Sequence, residues 1–261
     1  MVRVIAAASL FAAAGCATPT DRADTEAYAE FRAINDPLEP LNRQVFQLNQ
    51  ALDAMFPRPL ADFYRILIPP PMREGVHNVL TNLRSPVILA NDLLQGEFDR
   101  AGTTTGRFVV NSTLGVGGIA DWATDFGLPY HNEDFGQTLA VWGSPEGPYL
   151  VLPLVGPSNP RDAAGLAVDS ALLDPVGVIT LMGEAPEWLI TASRVRLAMT
   201  IVDARSQNAE ELDDLQKSSL DFYAALRSLY RQFRNAEIHQ GRPPANTEGP
   251  SLDDIPPIPV E

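Results

Sequence analysis

The sequence predicts an all-α fold built as one domain, and three observations carry that reading. Near the start, Leu38, Leu41, Val45, Leu48, Leu52 and Met55 recur at helical spacing. Near the end, Leu212, Leu215, Phe222, Leu226, Leu229 and Phe233 alternate steps of four and three, interrupted only at Ser219. Between these runs, prolines and glycines cut the chain into helix-length pieces, and no clean linker separates two bodies.

The elements follow in order. Asp36, Pro37 and Glu39 read as an N-cap, a first-turn proline and a capping-box acid for a helix reaching Met55. A second apolar stretch runs from Leu60 to Ile68, and the triplet Pro69, Pro70 and Pro71 forms a rigid corner. Three more helices are expected: Met72 to Leu83, Pro86 to Leu94 behind a Ser85 cap, and Glu97 to Thr113. From Leu114 to Phe126 the pattern dissolves around Gly115, Gly117 and Gly118. This predicts a sharp turn in either a buried hairpin or a segment that dips into lipid. A short helix spans Asp134 to Trp142, and Tyr149 to Val155 is extended. Another helix starts behind Asn159 and runs through Ala171, residues 172 to 184 are irregular, and a further helix covers Pro186 to Ala204. The last helix, Asn208 to Ala236, should pack along a seam of the body, with a coiled-coil dimer as the alternative.

Both ends differ from this body. Residues 1 to 15 read as a secretory signal: Arg3, an apolar run from Val4 to Ala14 too short for the ~20 residues of a spanning helix, then Gly15. Cys16, the lone cysteine, is the expected cleavage and lipid-attachment site, with ordinary secretion as the alternative. Residues 16 to 34 are a tether, 35 to 239 the folded domain, and 240 to 261 a proline-rich, disordered tail. With one cysteine, no intramolecular disulfide can form, so the fold stands on packing alone.

Chemistry is sparse. A net charge of −14 without a basic stripe argues against nucleic acid. His77, His131 and His239 lie far apart and form no metal-binding pair. No nucleophile elbow, phosphate cradle or calcium loop is present, so neither a catalytic residue nor a cofactor is assigned. Trp122 is a candidate for a membrane interface, where amphipathic rings gather. Arg43, Arg65, Arg107 and Arg161 suit either lipid phosphates or ion pairs.

Three ordered blocks resemble the VacJ/MlaA family of outer-membrane lipoproteins. The first runs from Asn35 through Asp36, Pro37, Leu38, Glu39, Pro40, Leu41 and Asn42 to Arg43, with Phe46 and Asn49. The second joins Arg107 and Phe108 to the stretch from Asn111 to Asp121. The third begins with Asp134, Phe135, Gly136 and Gln137, passes Trp142, Gly147 and Pro148, and ends at Arg161 and Asp162. The resemblance implies a ring-like helical protein seated in the inner leaflet of the outer membrane beside a trimeric porin. It also implies a non-enzymatic role, in which phospholipid misplaced in the outer leaflet passes through an amphipathic channel to a periplasmic lipid carrier. Carried over by position, Gly115, Gly117 and Gly118 become a hairpin beside the channel mouth. Asn42, Arg43 and Asn49 become channel wall or, preferably, internal contacts. A porin scaffold without lipid transfer, and a lipid hydrolase or acyltransferase, are the alternatives.

Overall fold

The computed structural model describes residues 36–183 and 185–240. The expected signal peptide, the expected lipid-attachment site Cys16, the expected tether and the expected tail from residue 241 lie outside the described residues. The rest is helical except for one two-stranded sheet. Helices α1 (Glu39–Met55) and α2 (Pro57–Leu67) are separated by Phe56 alone, and α3 (Pro70–Gln95) and α4 (Phe98–Thr113) follow. A turn leads to the one-turn α5 (Trp122–Asp125) and then α6 (Phe135–Val141). Strands β1 (Leu150–Leu152) and β2 (Gly156–Ser158) pair antiparallel, Val151 opposite Pro157. Helix α7 (Pro160–Val168), a π-helical turn (Asp169–Leu173), α8 (Pro175–Leu181), α9 (Glu187–Gln207), α10 (Ala209–Ser218) and α11 (Phe222–Ile238) complete the body.

Several boundaries differ from the sequence expectation, each for a tertiary reason. The two helices expected on either side of Ser85 are one: α3 runs through Pro86. A helix-interior proline costs about 3 kcal/mol. Here it is flanked by buried Ser85, Val87 and Ile88, whose packing holds the helix together. Asp36 is not an N-cap. Leu38 holds that position without a side-chain bond, because the Asp36 carboxylate is used elsewhere. It accepts from Asn42 Nδ2 at 2.8 Å, Arg227 Nη1 at 2.7 Å and the Tyr223 hydroxyl. The irregular segment expected at residues 172 to 184 contains α8, capped by Asp174 through the amides of Val176 and Gly177. The last expected helix is two, broken at extended Ser219, where the seam is interrupted, and restarted by the Asp221 cap. This shortens the seam on which the coiled-coil alternative relied.

Strand β1 has one edge on β2 and the other on two asparagines of α1. Asn42 donates to Tyr149 O at 3.0 Å and accepts from Val151 N at 3.0 Å. Asn49 donates to Leu152 O at 2.9 Å and accepts from Leu154 N at 2.8 Å. Seven helical residues rise about 10.5 Å and three strand residues about 10 Å, so two helical turns match the strand spacing. Phe46, between the asparagines, enters the cluster of Tyr149, Val151 and Tyr223.

The elements close on themselves. Successive contacts run from α1 to α2, α9, α3, α6, α11, β2, β1 and back to α1. This circuit is the ring-like arrangement expected. Its closure from last helix to first rests on Asp36, whose side chain is fully buried beside Arg227. Removing one partner of such a pair strands the other charge, which costs about 3–5 kcal/mol. D36A is therefore expected to lower stability by that amount in a denaturant titration, and the double variant D36L/R227M to recover most of it.

Candidate functional site

The clearest concavity is a cavity of about 230 Å³ between α3 and α4, beneath the glycine-rich turn. Its wall is polar: His77, Asn78, Thr81, Asn82 and Ser85 from α3, Thr104, Arg107 and Asn111 from α4, then Asp121, Tyr130 and His131, with Ile88 the apolar member. Pockets for drug-sized ligands span roughly 300–1,000 Å³. This one suits a headgroup rather than a whole two-chain lipid.

Arg107 fuses the wall to the turn. Its Nη1 donates to Thr124 Oγ1 at 2.9 Å and Leu128 O at 2.5 Å, and its Nη2 to Asp121 Oδ2 at 2.8 Å. Asn111 donates to Asp121 Oδ1 at 2.8 Å while accepting from Ala123 N at 2.9 Å. Burial alone would push the Asp121 carboxyl up, but the bonds from Thr124, Arg107 and Asn111 outweigh it and hold it at about 2.

Gly115, Gly117 and Gly118 form the expected sharp turn, which leads from α4 to the one-turn α5. At Gly115 a Cβ would sit 2.2 Å from Ala120 O and 2.5 Å from Asn111 O. At Gly118, with φ +96°, it would strike the side chain of Asn82. Asn78 donates to Ile119 O at 3.1 Å and Asn82 to Ser112 Oγ at 3.0 Å, so α3 grips the turn from below. Above, Leu114, Val116, Ile119 and Trp122 are exposed, Trp122 at 46%. The turn thus carries apolar side chains outward, while the polar Asn111 and Asp121 that flank it line the cavity.

The remaining sequence candidates separate from this site. Asn42 and Asn49 clip β1, and Arg43 bonds Glu39 and Asp221 while stacking on Tyr223; none of the three lines the cavity. Arg65 pairs with Glu210, and Arg161 with Asp162. All four flagged arginines therefore have acidic or intramolecular partners, although Arg107 and Arg161 are buried instead of lying at the surface. Sequence reasoning misses that His77 and His131 face one cavity. Their carboxylate partners, Asp203 and Asp92, come from α9 and α3, and no spacing in the chain announces either pair. Among the described residues no group of His, Cys, Asp and Glu side chains is arranged to hold a metal ion.

Two expectations follow. G115A collides with backbone that cannot yield and should cost several kcal/mol in thermal unfolding. G117A meets open space but a φ of +73° and should cost about 1 kcal/mol. Because the Asp121 carboxyl is depressed when folded, its contribution is present above the ordinary value of 3.8 and is lost as pH falls toward 2. D121N should therefore lower stability at pH 7 and flatten the acid-induced loss across that window, as read by pH-dependent melting.

Comparison with known proteins agrees with the blocks in the sequence. The family model described as MlaA lipoprotein matches residues 34–237. An uncharacterised protein of Rickettsia bellii is 35% identical over 207 residues, covering 79% of this chain and 78% of its own. The intermembrane phospholipid transport system lipoprotein MlaA of Haemophilus influenzae is 30% identical over 237 residues, covering 90% and 89%. That of Escherichia coli is 29% identical over 226 residues, covering 84% and 86%. A solved structure reported as "Structural basis for maintenance of bacterial outer membrane lipid asymmetry" matches with a TM-score of 0.65 at 30% identity, over 78% of this chain and 98% of its own. With its sequence blocks, its contact circuit and its matches in agreement, the chain belongs to the MlaA lipoprotein family.

Proposed function

We propose that this protein is an outer-membrane lipoprotein that withdraws phospholipids misplaced in the outer leaflet and passes them toward the periplasm, maintaining lipid asymmetry. One observation carries the reading: the body is polar inside and apolar outside. Among the described residues, buried polar and charged side chains outnumber buried apolar ones, and the cavity wall is part of that interior. Meanwhile Phe63 and Ile66 on α2, Phe98 on α4 and Trp188 and Leu197 on α9 stand largely exposed, Ile66 at 80%. A soluble protein hides such side chains; a protein bathed in acyl chains displays them and needs a polar interior for a headgroup to pass.

Among the described residues no single helix is long and apolar enough to cross a membrane. Helix α7 with its π-turn, joined to α8 across a 75° bend, passes that test only as a broken pair. Seating in one leaflet fits these lengths better than spanning. In this reading an acyl anchor on Cys16 holds the domain of residues 35 to 239 at the periplasmic face. A trimeric porin shields part of the apolar surface, and a periplasmic carrier protein receives the lipid. The glycine turn, its tip in lipid and its flanking Asn111 and Asp121 on the cavity, stands where a headgroup would enter. No chemical step is assigned to the protein.

Deleting the gene should raise surface-exposed phospholipid several-fold, measured by labelling intact cells, and a C16A copy should restore part of the barrier because the body itself sits in lipid. No rise on deletion would overturn the reading. Phospholipid extracted from the purified protein should be intact by mass spectrometry; deacylated lipid would favour a hydrolase, and a lipid-free preparation a scaffold.

A further inference from the structure

Three polar side chains on one face of α3 line the cavity without a protein partner on that side. His77, Thr81 and Ser85 are spaced by four residues, which stacks them one turn apart. Thr81 and Ser85 make no side-chain hydrogen bond among the described residues, although Ser85 is buried. His77 bonds through Nδ1 alone, 2.8 Å from Asp203 Oδ2, and is about half exposed. The guanidinium on the wall is occupied: both terminal nitrogens of Arg107 are spent on Asp121, Thr124 and Leu128, while His131, like His77, bonds through a single ring nitrogen, its Nε2 lying 3.0 Å from Asp92 Oδ1. Among the described residues, His77 Nε2 thus makes no hydrogen bond at this wall.

Resting on the transport reading above, we propose that His77 is a specificity-determining residue of the cavity. Its imidazolium, backed by Asp203, presents Nε2–H to the anionic phosphoryl oxygen shared by phospholipid headgroups, with Thr81 and Ser85 as the next hydroxyl donors along the path. A neutral diacylglycerol lacks that oxygen and passes His77 without a bond.

The surroundings of Asp203 favour the charged ring. The carboxylate is 6% exposed, and its second oxygen is buried without a hydrogen bond, so a charged ring on His77 compensates it directly. The bond to Asp203 raises the His77 pKa, burial opposes it, and the charges of Asp203 and Glu74 raise it further. Tyr64 from α2 feels the charges of both Asp203 and Arg73 of α3, and Tyr64 and Arg73 each have a buried atom lacking a hydrogen bond. Asp121, Arg107, Tyr130 and His131 face the ring across the cavity.

The test is histidine-selective NMR on the purified full chain in detergent. The His77 signal is identified by its loss in H77Q and titrated with dihexanoyl phosphatidylglycerol, dihexanoylglycerol and inorganic phosphate. The phosphodiester lipid should shift His77 saturably and raise its pKa. Its binding should weaken as pH rises through that value, by roughly tenfold in H77Q, and recover in H77R. Dihexanoylglycerol should bind both proteins alike without moving the signal. If both lipids bind wild type and H77Q equally and the signal stays still, the assignment of His77 fails and the transport reading stands. If neither lipid binds, both fail. A shift as large with inorganic phosphate as with the lipid would make this a free-anion site and overturn the proposal. Should H77Q fold poorly, the wild-type shifts and H77R decide the matter.

Discussion

The fold hangs on a carboxylate shut away from water. Asp36 opens the described residues, yet its partners Tyr223 and Arg227 belong to the last helix, so the bond joins the two ends of the folded body. Arg234, two turns further along α11, repeats the device by gripping Asp134 at 2.6 Å and Asp162 at 2.8 Å. Apolar packing in this molecule is thin and local, around Phe46, Tyr149, Val151 and Tyr223. Where the outer surface is itself apolar, burying carbon distinguishes poorly between right and wrong helix pairings. Directional, charge-assisted bonds then select the arrangement, even where their net contribution to stability is modest.

The same constraint explains what is legible in the sequence. Helices whose signals are local can be read: the Asn159 start of α7, the short helix α6 and the periodicity of α1 all survive in the structure. The glycines after α4 are readable as a turn because no other residue tolerates the contacts at Gly115. Misreadings arise where one residue has two possible employments. Asp36 looks like a cap in a string of letters and becomes a ring-closing anion once Arg227 is beside it. Pro86 looks like a boundary and becomes interior once the residues around it are buried.

The site is less legible than the fold. Asn42 and Asn49, offered by the family resemblance as channel wall or internal contacts, hydrogen-bond the β1 edge. Arg107 stands out for its chemistry, but its commitment to Asp121 depends on a turn whose direction the sequence does not state. His77 and His131 look scattered along the chain because proximity in a ring is set by which helices are neighbours, and helical periodicity is silent on that.

The closed circuit of contacts has a mechanical consequence. A linear stack of helices frays from its terminal members, and its middle outlives its ends. A circuit has no terminal member: each element is braced on both sides, and the first joint to part releases the whole into an open arc. The toughness of such a body is that of its weakest joint, whatever the strength of the others. The polar clamps at Asp36 and Arg234 lie at the joints made by α11, the first toward the start of α1 and the second toward α6 and α7.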